Sequence, residues 1–313
     1  MKKTLIVFFI ILSILTLSED FRFYREYELN NSTDKNIKVE MLVSNIIFDY
    51  SAKNEIQIRY KNTLNEFPNI NMNKYVNNTN ISEDFIDSYK TFSLFKRLAL
   101  GKDTFVKNWN GEGEYKFLIG YPLEEAILIN NKGYIDLKNI NIRKNLRVIN
   151  FIGNSYLKNI TSKNLQIENK MGKIDITNIF VENKTSIVNE TGNISISNHG
   201  NLINDLEINS EYSLISLQGI DARKIEVSNK KGRIDMIIKN VENLNIDMEK
   251  GNIFLKLYGD DFNLDIETKN GDIRVFGEEK DDKYKSSNQN NTNNIKVRLD
   301  TGNIYIDDIS YIN

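Results

Sequence analysis

The last two-thirds of the chain repeats one hydrophobic pattern about every 20 residues, centred on a motif of the form Gly-x-Ile-x-Ile. Apolar residues stand seven and five positions before the glycine and two and four positions after it, with only Thr185 and Ser155 as exceptions. Because side chains alternate between the two faces of a strand, this spacing predicts two short strands per copy with all apolar residues pointing inward. The central glycines are Gly133, Gly153, Gly172, Gly192, Gly232, Gly251, Gly271 and Gly302, and Ser213 takes this position in one copy.

A fixed repeat of this length is typical of stacked-coil proteins. We predict an all-β, single-domain parallel β-solenoid of about 20-residue coils, in which equivalent strands stack about 4.8 Å apart. Glycine suits the turn between the two strands because it tolerates positive φ. A further apolar column seven positions after the glycine predicts a short third wall early in the stack, at Ile140, Ile160, Ile179 and Ile220.

Asparagine recurs three positions before the glycine, where the alternation places it inward. Stacked amides can satisfy one another along a solenoid, so the column predicts a structural ladder. The alternative is that this asparagine-rich chain simply places asparagine there by composition. The predicted ladder consists of Asn130, Asn150, Asn169, Asn189 and Asn229.

The repeat is interrupted near the N-terminus. Residues 19–60 contain a first solenoid coil, in which residues 37–60 alternate and Ser44-Asn45 replaces the glycine turn. Residues 61–115 are then an insertion, with a loop over 62–80 and a helix over about 82–100 that Ser82 caps. The solenoid continues over 116–313, and a polar loop at 277–294 accounts for the long gap between Gly271 and Gly302.

Several apolar residues fall on the outward side of the early coils. Ile127, Ile129, Ile149 and Val188 occupy positions that are polar in the later copies. An apolar patch of this kind needs a cover. We expect the 82–100 helix to pack over it, and the alternative is an exposed patch that binds a partner.

The N-terminus resembles a secretory leader. Met1-Lys2-Lys3 precedes an apolar stretch from Leu5 to Leu17, which is short for a membrane-spanning helix. Residues 1–18 therefore predict a cleaved signal peptide or a retained N-terminal anchor. Either way the rest of the chain is expected to be exported to the cell envelope, surface or periplasm.

Composition excludes several functional classes. The 41 basic and 43 acidic residues give a net charge of −2 without a basic run, so no nucleic-acid partner is expected. The chain has no cysteine and one histidine, His199, so neither a metal site nor a cofactor is predicted. On the outward side, Asp136 and Asp175 are two coils apart, about 10 Å by coil spacing. No catalytic residue is predicted.

The chain resembles a known group of proteins in three features. These are the strands hinged at Gly-Asx-Ile, the Tyr121-Pro122-Leu123 element that leads into them and the export-type N-terminus. The group is the putative-adhesin family of unknown function, a β-solenoid domain of bacterial envelope proteins. The resemblance covers residues 37–60 and 116–308, and it implies a surface or envelope protein without assigned catalytic residues.

The sequence thus favours a non-enzymatic envelope β-solenoid that acts as an adhesin-like binding module or scaffold. Its partner would be an envelope protein or polysaccharide, and it would touch the membrane only through an uncleaved N-terminal segment. The alternatives are a carbohydrate-active β-helix enzyme and a membrane-anchored accessory protein that binds an envelope partner.

Overall fold

A computed structural model describes residues 23–29, 36–41, 44–52, 56–62, 69–75, 78–84, 113–198, 200–259, 262–286 and 292–309. These residues form strands, turns and connections, with no helix among them. The strands join in one mostly parallel sheet that winds into stacked coils. The predicted all-β class is therefore confirmed.

The strands follow the predicted columns. In chain order they are β1 (Phe23–Leu29), β2 (Asn36–Met41), β3 (Ser44–Tyr50), β4 (Ile56–Asn62), β5 (Asn69–Tyr75), β6 (Asn78–Asp84), β7 (Gly113–Ile119), β8 (Leu123–Lys132), β9 (Ile135–Lys138), β10 (Ile142–Ile152), β11 (Ser155–Met171), β12 (Ile174–Ser197), β13 (Leu202–Leu257), β14 (Asn263–Asn270), β15 (Ile273–Val275), β16 (Glu278–Lys280), β17 (Lys283–Ser286), β18 (Asn294–Thr301) and β19 (Ile304–Asp308). The longest of them pass through several coils without a break, because the turns between coil walls keep strand hydrogen bonding.

Neighbouring coils pair in parallel and in register, so each inward residue packs on its counterpart in the next coil. One such column runs through Leu128, Val148, Ile167, Ile187 and Ile208. All five side chains are fully buried. The predicted third wall is also buried, at Ile140, Ile160, Ile179 and Ile220.

The glycine turn is where neighbouring coils approach most closely. Gly172 has φ of +141°, and a Cβ built on it would lie 1.9 Å from the carbonyl oxygen of Gly153. Gly153 stands in the same relation to Gly133, at 1.8 Å. Any side chain would therefore collide with backbone, in a conformation that L-residues rarely adopt. Glycine is required here by close approach as well as by φ.

At the N-terminal end the coils do not follow chain order. The coil of β2 and β3 stacks on β8 and β9, and the coil of β6 and β7 stacks on the outer side of β2 and β3. The outer coil is then closed by antiparallel strands, because β4 pairs with β7, β5 pairs with β6, and β1 pairs with β4.

The C-terminal end is built in the same way. The coil of β18 and β19, last in the chain, lies between the end of β13 and the coil of β14 and β15. The outermost coil is closed by antiparallel pairing of β17 with β14 and of β16 with β15. These closing strands carry many charged residues, which discourage edge-to-edge association. Both ends of the solenoid are thus capped by antiparallel strands.

Four predictions about the interruptions are wrong. The loop predicted over 62–80 contains β5 and the start of β6, and Ser82 to Asp84 complete β6 instead of starting a helix. Residues 85–100, the rest of the predicted helix, lie outside the described residues. The residues from Ile56 onward do not continue the first coil, because β4 runs antiparallel to β7. The polar loop predicted over 277–294 contains β16 and β17.

Candidate binding surface

The five asparagines of the predicted ladder are all buried, and their amides mainly reach the glycine turns. Asn150 Nδ2 donates to the carbonyl oxygens of Gly133 and Asn154, both at 3.1 Å. Asn169 Nδ2 donates to the Gly153 carbonyl oxygen at 3.2 Å. These bonds tie the turn of one coil to the turn of the next. The column is therefore a set of amide-to-backbone links, whereas the sequence suggested bonds between amides.

Three members of the column vary this arrangement. Asn229 Nδ2 donates to the carbonyl oxygen of Ser213 at 3.2 Å, and Asn189 Nδ2 to the Ser213 hydroxyl at 3.4 Å. Asn130 is fully buried, and neither of its amide atoms has a hydrogen-bond partner among the described residues. Asn130 lies beside Met41 of β2, so its neighbour on that side offers no amide or hydroxyl.

A second asparagine column was missed by sequence reasoning. Asn139, Asn159 and Asn178 stand six positions after the glycine and have positive φ of 56°, 54° and 53°. Asparagine is one of the few non-glycine residues that tolerate this conformation. Asn159 Nδ2 donates to Asn139 Oδ1 at 2.8 Å. The signal was present in the repeated Asn-Ile pairs that begin the third wall.

The outward side of the second strands holds the acids that an enzyme would need. Asp136 lies 2.6 Å from Lys138 Nζ, and Asp175 lies 2.5 Å from Lys173 Nζ. Both acids line a shallow groove of about 320 Å³ together with Tyr156. Within the described part of the chain, no group of three or more His, Asp or Glu side chains could hold a metal ion. His199 lies outside that part. In this groove Lys138 neutralises Asp136 and Lys173 neutralises Asp175.

Further along the same side, the out-of-order C-terminal coil creates an aromatic stack. The rings of Phe254 and Tyr305 are 4.9 Å apart and nearly parallel, at 8°. The Arg233 guanidinium lies 4.3 Å above the other face of Phe254. The ring faces of Phe254 are thus already covered, so the stack stabilises the placement of the last coil.

The larger groove lies on the outward side of the first strands, and we call it the axial groove. It has a volume of about 460 Å³ and crosses four neighbouring coils. One wall is a hydrogen-bonded polar row in which Asn164 Nδ2 donates to Asn145 Oδ1 at 2.9 Å and Asn145 Nδ2 donates to Glu125 Oε1 at 2.7 Å. The other wall carries Ile127, Arg147 and Gln166, and between the walls lie Ala126, Leu146 and Leu165, whose side chains are buried in the core.

The charged groups of the axial groove are paired with one another or with residues at its margin. Arg147 Nη2 lies 2.9 Å from Glu168 Oε1, and Lys184 Nζ lies 2.5 Å from Glu207 Oε2. The hydrogen bond from Lys184 lowers the pKa of the Glu207 carboxyl, and the same bond raises the pKa of Lys184. The groove therefore offers amide and paired ionic groups without a large excess of one charge.

The predicted outward patch lies beside this groove. Ile127 lines the groove, Ile127, Ile129 and Ile149 are half-buried, and Val188 is exposed. The helix expected to cover them falls mostly on residues outside the described ranges. Among the described residues, no helix has the length and apolar character needed to cross a membrane.

Three solved structures are similar to this chain, each at 12% sequence identity. A putative adhesin from Bacteroides fragilis aligns over 92% of this chain and 97% of its own, with a TM-score of 0.45. A putative adhesin from Parabacteroides distasonis aligns over 91% and 97%, with a TM-score of 0.49. A putative cell adhesion protein from Clostridium sporogenes aligns over 92% and 99%, with a TM-score of 0.21.

Comparison with curated proteins finds no match. A family model does match, over residues 120–307, which span the repeated coils and most of the chain. That match confirms the family resemblance read from the Gly-Asx-Ile strands. The chain belongs to the Toastrack DUF4097 family.

Proposed function

We propose that this protein is an exported, non-enzymatic binding module of the cell envelope that holds an extended polysaccharide in the axial groove. The observation that carries the proposal is the groove itself, a continuous trough of about 460 Å³ with a wall of hydrogen-bonded polar side chains. The positive and apolar N-terminal segment, residues 1–18, supports export.

The shape of the groove suits a linear polymer. It follows the stacking direction across four coils, a length of about 15 Å at the spacing of parallel strands. A linear ligand lying there would meet an equivalent polar residue from each coil, at Glu125, Asn145, Asn164 and Lys184. Repeated contacts at regular spacing match the repeated units of a polysaccharide.

The chemistry of the groove suits an uncharged or weakly charged ligand. Amides both donate and accept hydrogen bonds, so Asn145, Asn164 and Gln166 can satisfy hydroxyl groups in either sense. Arg147 and Lys184 have acidic partners already, which reduces their attraction for a polyanion. Hydroxyl-rich sugars fit this surface better than nucleic acid or an acidic polymer.

A carbohydrate-active enzyme is the rival function, and the groove at Asp136 and Asp175 is where it would act. Each acid is paired with a lysine and the two belong to coils two steps apart. This supports a binding role over hydrolysis. Incubation of the full chain with envelope polysaccharide should release no new reducing ends, and release abolished by Asp175→Asn would favour the enzyme.

The binding proposal is tested with the full chain and polysaccharide purified from bacterial envelopes, by isothermal titration calorimetry. Asn164→Ala should weaken binding about tenfold, because it removes a groove amide that bonds the neighbouring coil and faces the ligand. Asn243→Ala is the matched control, since Asn243 occupies the same position in a coil beyond the groove and is also exposed. Equal affinity of the two variants would overturn the groove assignment, and no detectable binding of polysaccharide to the full chain would overturn the ligand class.

A further inference from the structure

The outermost C-terminal coil ends the stack with an exposed glycine turn. This coil, formed by β14 and β15, has a neighbouring coil on its inner side only, at β18 and β19. Its turn glycine, Gly271, is exposed. The turn glycines of the other coils are all half-buried, and they are Gly133, Gly153, Gly172, Gly192, Gly232, Gly251 and Gly302. The turn at Gly271 is therefore open to solvent on the side where the other turns meet the next coil.

The closing strands leave this turn uncovered because they cut the corner. β16 pairs with β15 up to Ile273, and β17 pairs with β14 up to Glu267. Residues 281–282 alone connect the two closing strands, whereas β14 and β15 are joined around the corner through residues 268–272. Residues 269–272 are consequently exposed.

Gly271 is also the last glycine in the row of hydrogen bonds that joins the turns. In the inner coils the turn N–H donates to a carbonyl oxygen of the next coil outward, as from Gly172 N to Thr191 O at 2.9 Å and from Gly302 N to Asn270 O at 2.8 Å. No coil lies outward of Gly271, and within the described part of the chain no acceptor bonds its N–H. Its amide nitrogen is therefore accessible and not held by a hydrogen bond.

The residue before this glycine is an asparagine. Asn270-Gly271 is one of two Asn-Gly pairs in the sequence, and the other, Asn110-Gly111, lies outside the described residues. Asn270 is exposed, and among the described residues its amide makes one hydrogen bond, a long one from Nδ2 to the Asp300 carbonyl oxygen at 3.4 Å. Because glycine has no side chain, nothing on Gly271 itself obstructs the approach of its nitrogen to the asparagine side chain.

We propose that Asn270 is a site of spontaneous deamidation. The Gly271 nitrogen attacks Asn270 Cγ and forms the new C–N bond of a cyclic imide. The bond from Cγ to Nδ2 breaks, the proton of the Gly271 nitrogen passes to the departing group, and Nδ2 leaves as ammonia. Water then adds to either carbonyl of the imide and opens it to aspartate or isoaspartate. The reaction needs water and no oxidant, reductant or enzyme.

Deamidation alters the hold of the outer coil on its neighbour. It removes the Nδ2 donor to the Asp300 carbonyl oxygen and places a carboxylate beside that oxygen. Isoaspartate also lengthens the main chain at a residue that pairs with Thr301 and whose carbonyl oxygen accepts the bond from Gly302 N. The outer coil is therefore expected to loosen at this corner.

Peptide mapping by mass spectrometry of the full chain, aged at neutral pH with and without urea, measures the reaction at Asn270. Met171→Asn is the matched control, because it places the same dipeptide at an exposed turn whose Gly172 N–H is bonded to Thr191 O. Each folded rate is divided by the rate in urea, which removes the effect of neighbouring sequence. This ratio should be at least about tenfold larger at Asn270 than at position 171, because a bonded turn reacts only after local opening. Equal ratios would overturn the proposal.

Two further measurements use the unmodified sequence and do not depend on the folding of the variant. The folded chain should deamidate at Asn270 within about tenfold of its rate in urea, and a slower folded rate would contradict the proposal. The product should contain both aspartate and isoaspartate, since the imide opens at either carbonyl, and aspartate alone would exclude the cyclic route. In the purified isoaspartate form the Gly302 amide should exchange its hydrogen about tenfold faster, and unchanged exchange would overturn the loosening of the outer coil.

Discussion

Replacing Gly172 by alanine should destabilise the solenoid more than the same replacement at a glycine whose added methyl group meets no other atom. The new Cβ would lie 1.9 Å from the Gly153 carbonyl oxygen and 2.6 Å from its carbonyl carbon. Relief requires either separating the two coils or rotating Gly172 away from its φ of +141°. Either movement disturbs the bonds from Gly172 N to Thr191 O, at 2.9 Å, and from Gly153 N to Met171 O, at 2.8 Å.

The size of the effect follows from these two costs. A non-glycine residue held in such a region of φ costs about 1–3 kcal/mol. Weakening two backbone hydrogen bonds adds about 1 kcal/mol for each. We therefore expect Gly172→Ala to lower the free energy of unfolding by about 3–5 kcal/mol.

Gly200→Ala is the matched control. Gly200 also has positive φ, +85°, but a Cβ there would meet no atom within 4 Å. Its substitution should cost only the left-handed conformation, about 1–2 kcal/mol. Urea unfolding followed by circular dichroism measures both variants. A loss for Gly172→Ala no greater than that for Gly200→Ala would refute the argument that close approach of the coils dictates glycine.

Four other substitutions test three separate parts of the structure by the same urea assay. Asn150→Leu should lower the free energy of unfolding by about 1–3 kcal/mol because it removes two bonds to buried carbonyls, whereas Asn130→Leu should be neutral or stabilising; equal losses would contradict this. Phe276→Asn should stabilise by about 1 kcal/mol, because Phe276 has φ of 52° in the two-residue turn between β15 and β16, where asparagine is preferred; a loss of stability would show that the phenyl ring has a packing role. Burial, and then the bond to Glu114 at 2.8 Å, raise the pKa of Tyr134 above the ordinary value. The folded state therefore keeps the Tyr134 proton at pH values where the unfolded state loses it, so its contribution is full below about pH 10 and falls as the pH rises further. Tyr134→Phe should lose less stability than the wild type as the pH rises from about 9 to about 11; identical pH dependence would contradict the assignment.

The columns were predictable from sequence because every coil repeats the same inward positions. Leu128, Val148 and Ile167 align by spacing alone, and they stack in the structure with the predicted register. The glycine turn was also visible, since few other residues permit the required φ. The second reason for glycine, the close approach of Gly172 to Gly153, was not predictable, because it depends on how neighbouring coils stack.

The order of coils at the ends was not predictable from the same pattern. Because each coil presents equivalent columns, Val297 of β18 satisfies the core equally well beside Ile246 or beside Ile266 on the outside. In the structure it lies between them. The antiparallel strands β16 and β17 hold the outer edge, and their charged sequence resembled a loop.

The insertion was misread for a local reason. Ser82, Glu83 and Asp84 have the composition of a helix start, but pairing of β6 with β2 and β5 overrides this propensity. The axial groove was not predicted either, because Asn145 and Asn164 stand eight positions before the glycine, outside the apolar columns of the repeat, and look like ordinary polar surface. Only the register of the coils brings them into one row.

The most direct test of the proposed function is the hydrogen-exchange footprint of envelope polysaccharide on the full chain. The axial groove predicts slower exchange at the backbone amides of residues 125–127, 145–147 and 164–166, with the coil around Phe254 and Tyr305 unchanged. Protection centred on Phe254 and Tyr305, or no protection at a saturating concentration of polysaccharide, would contradict the account.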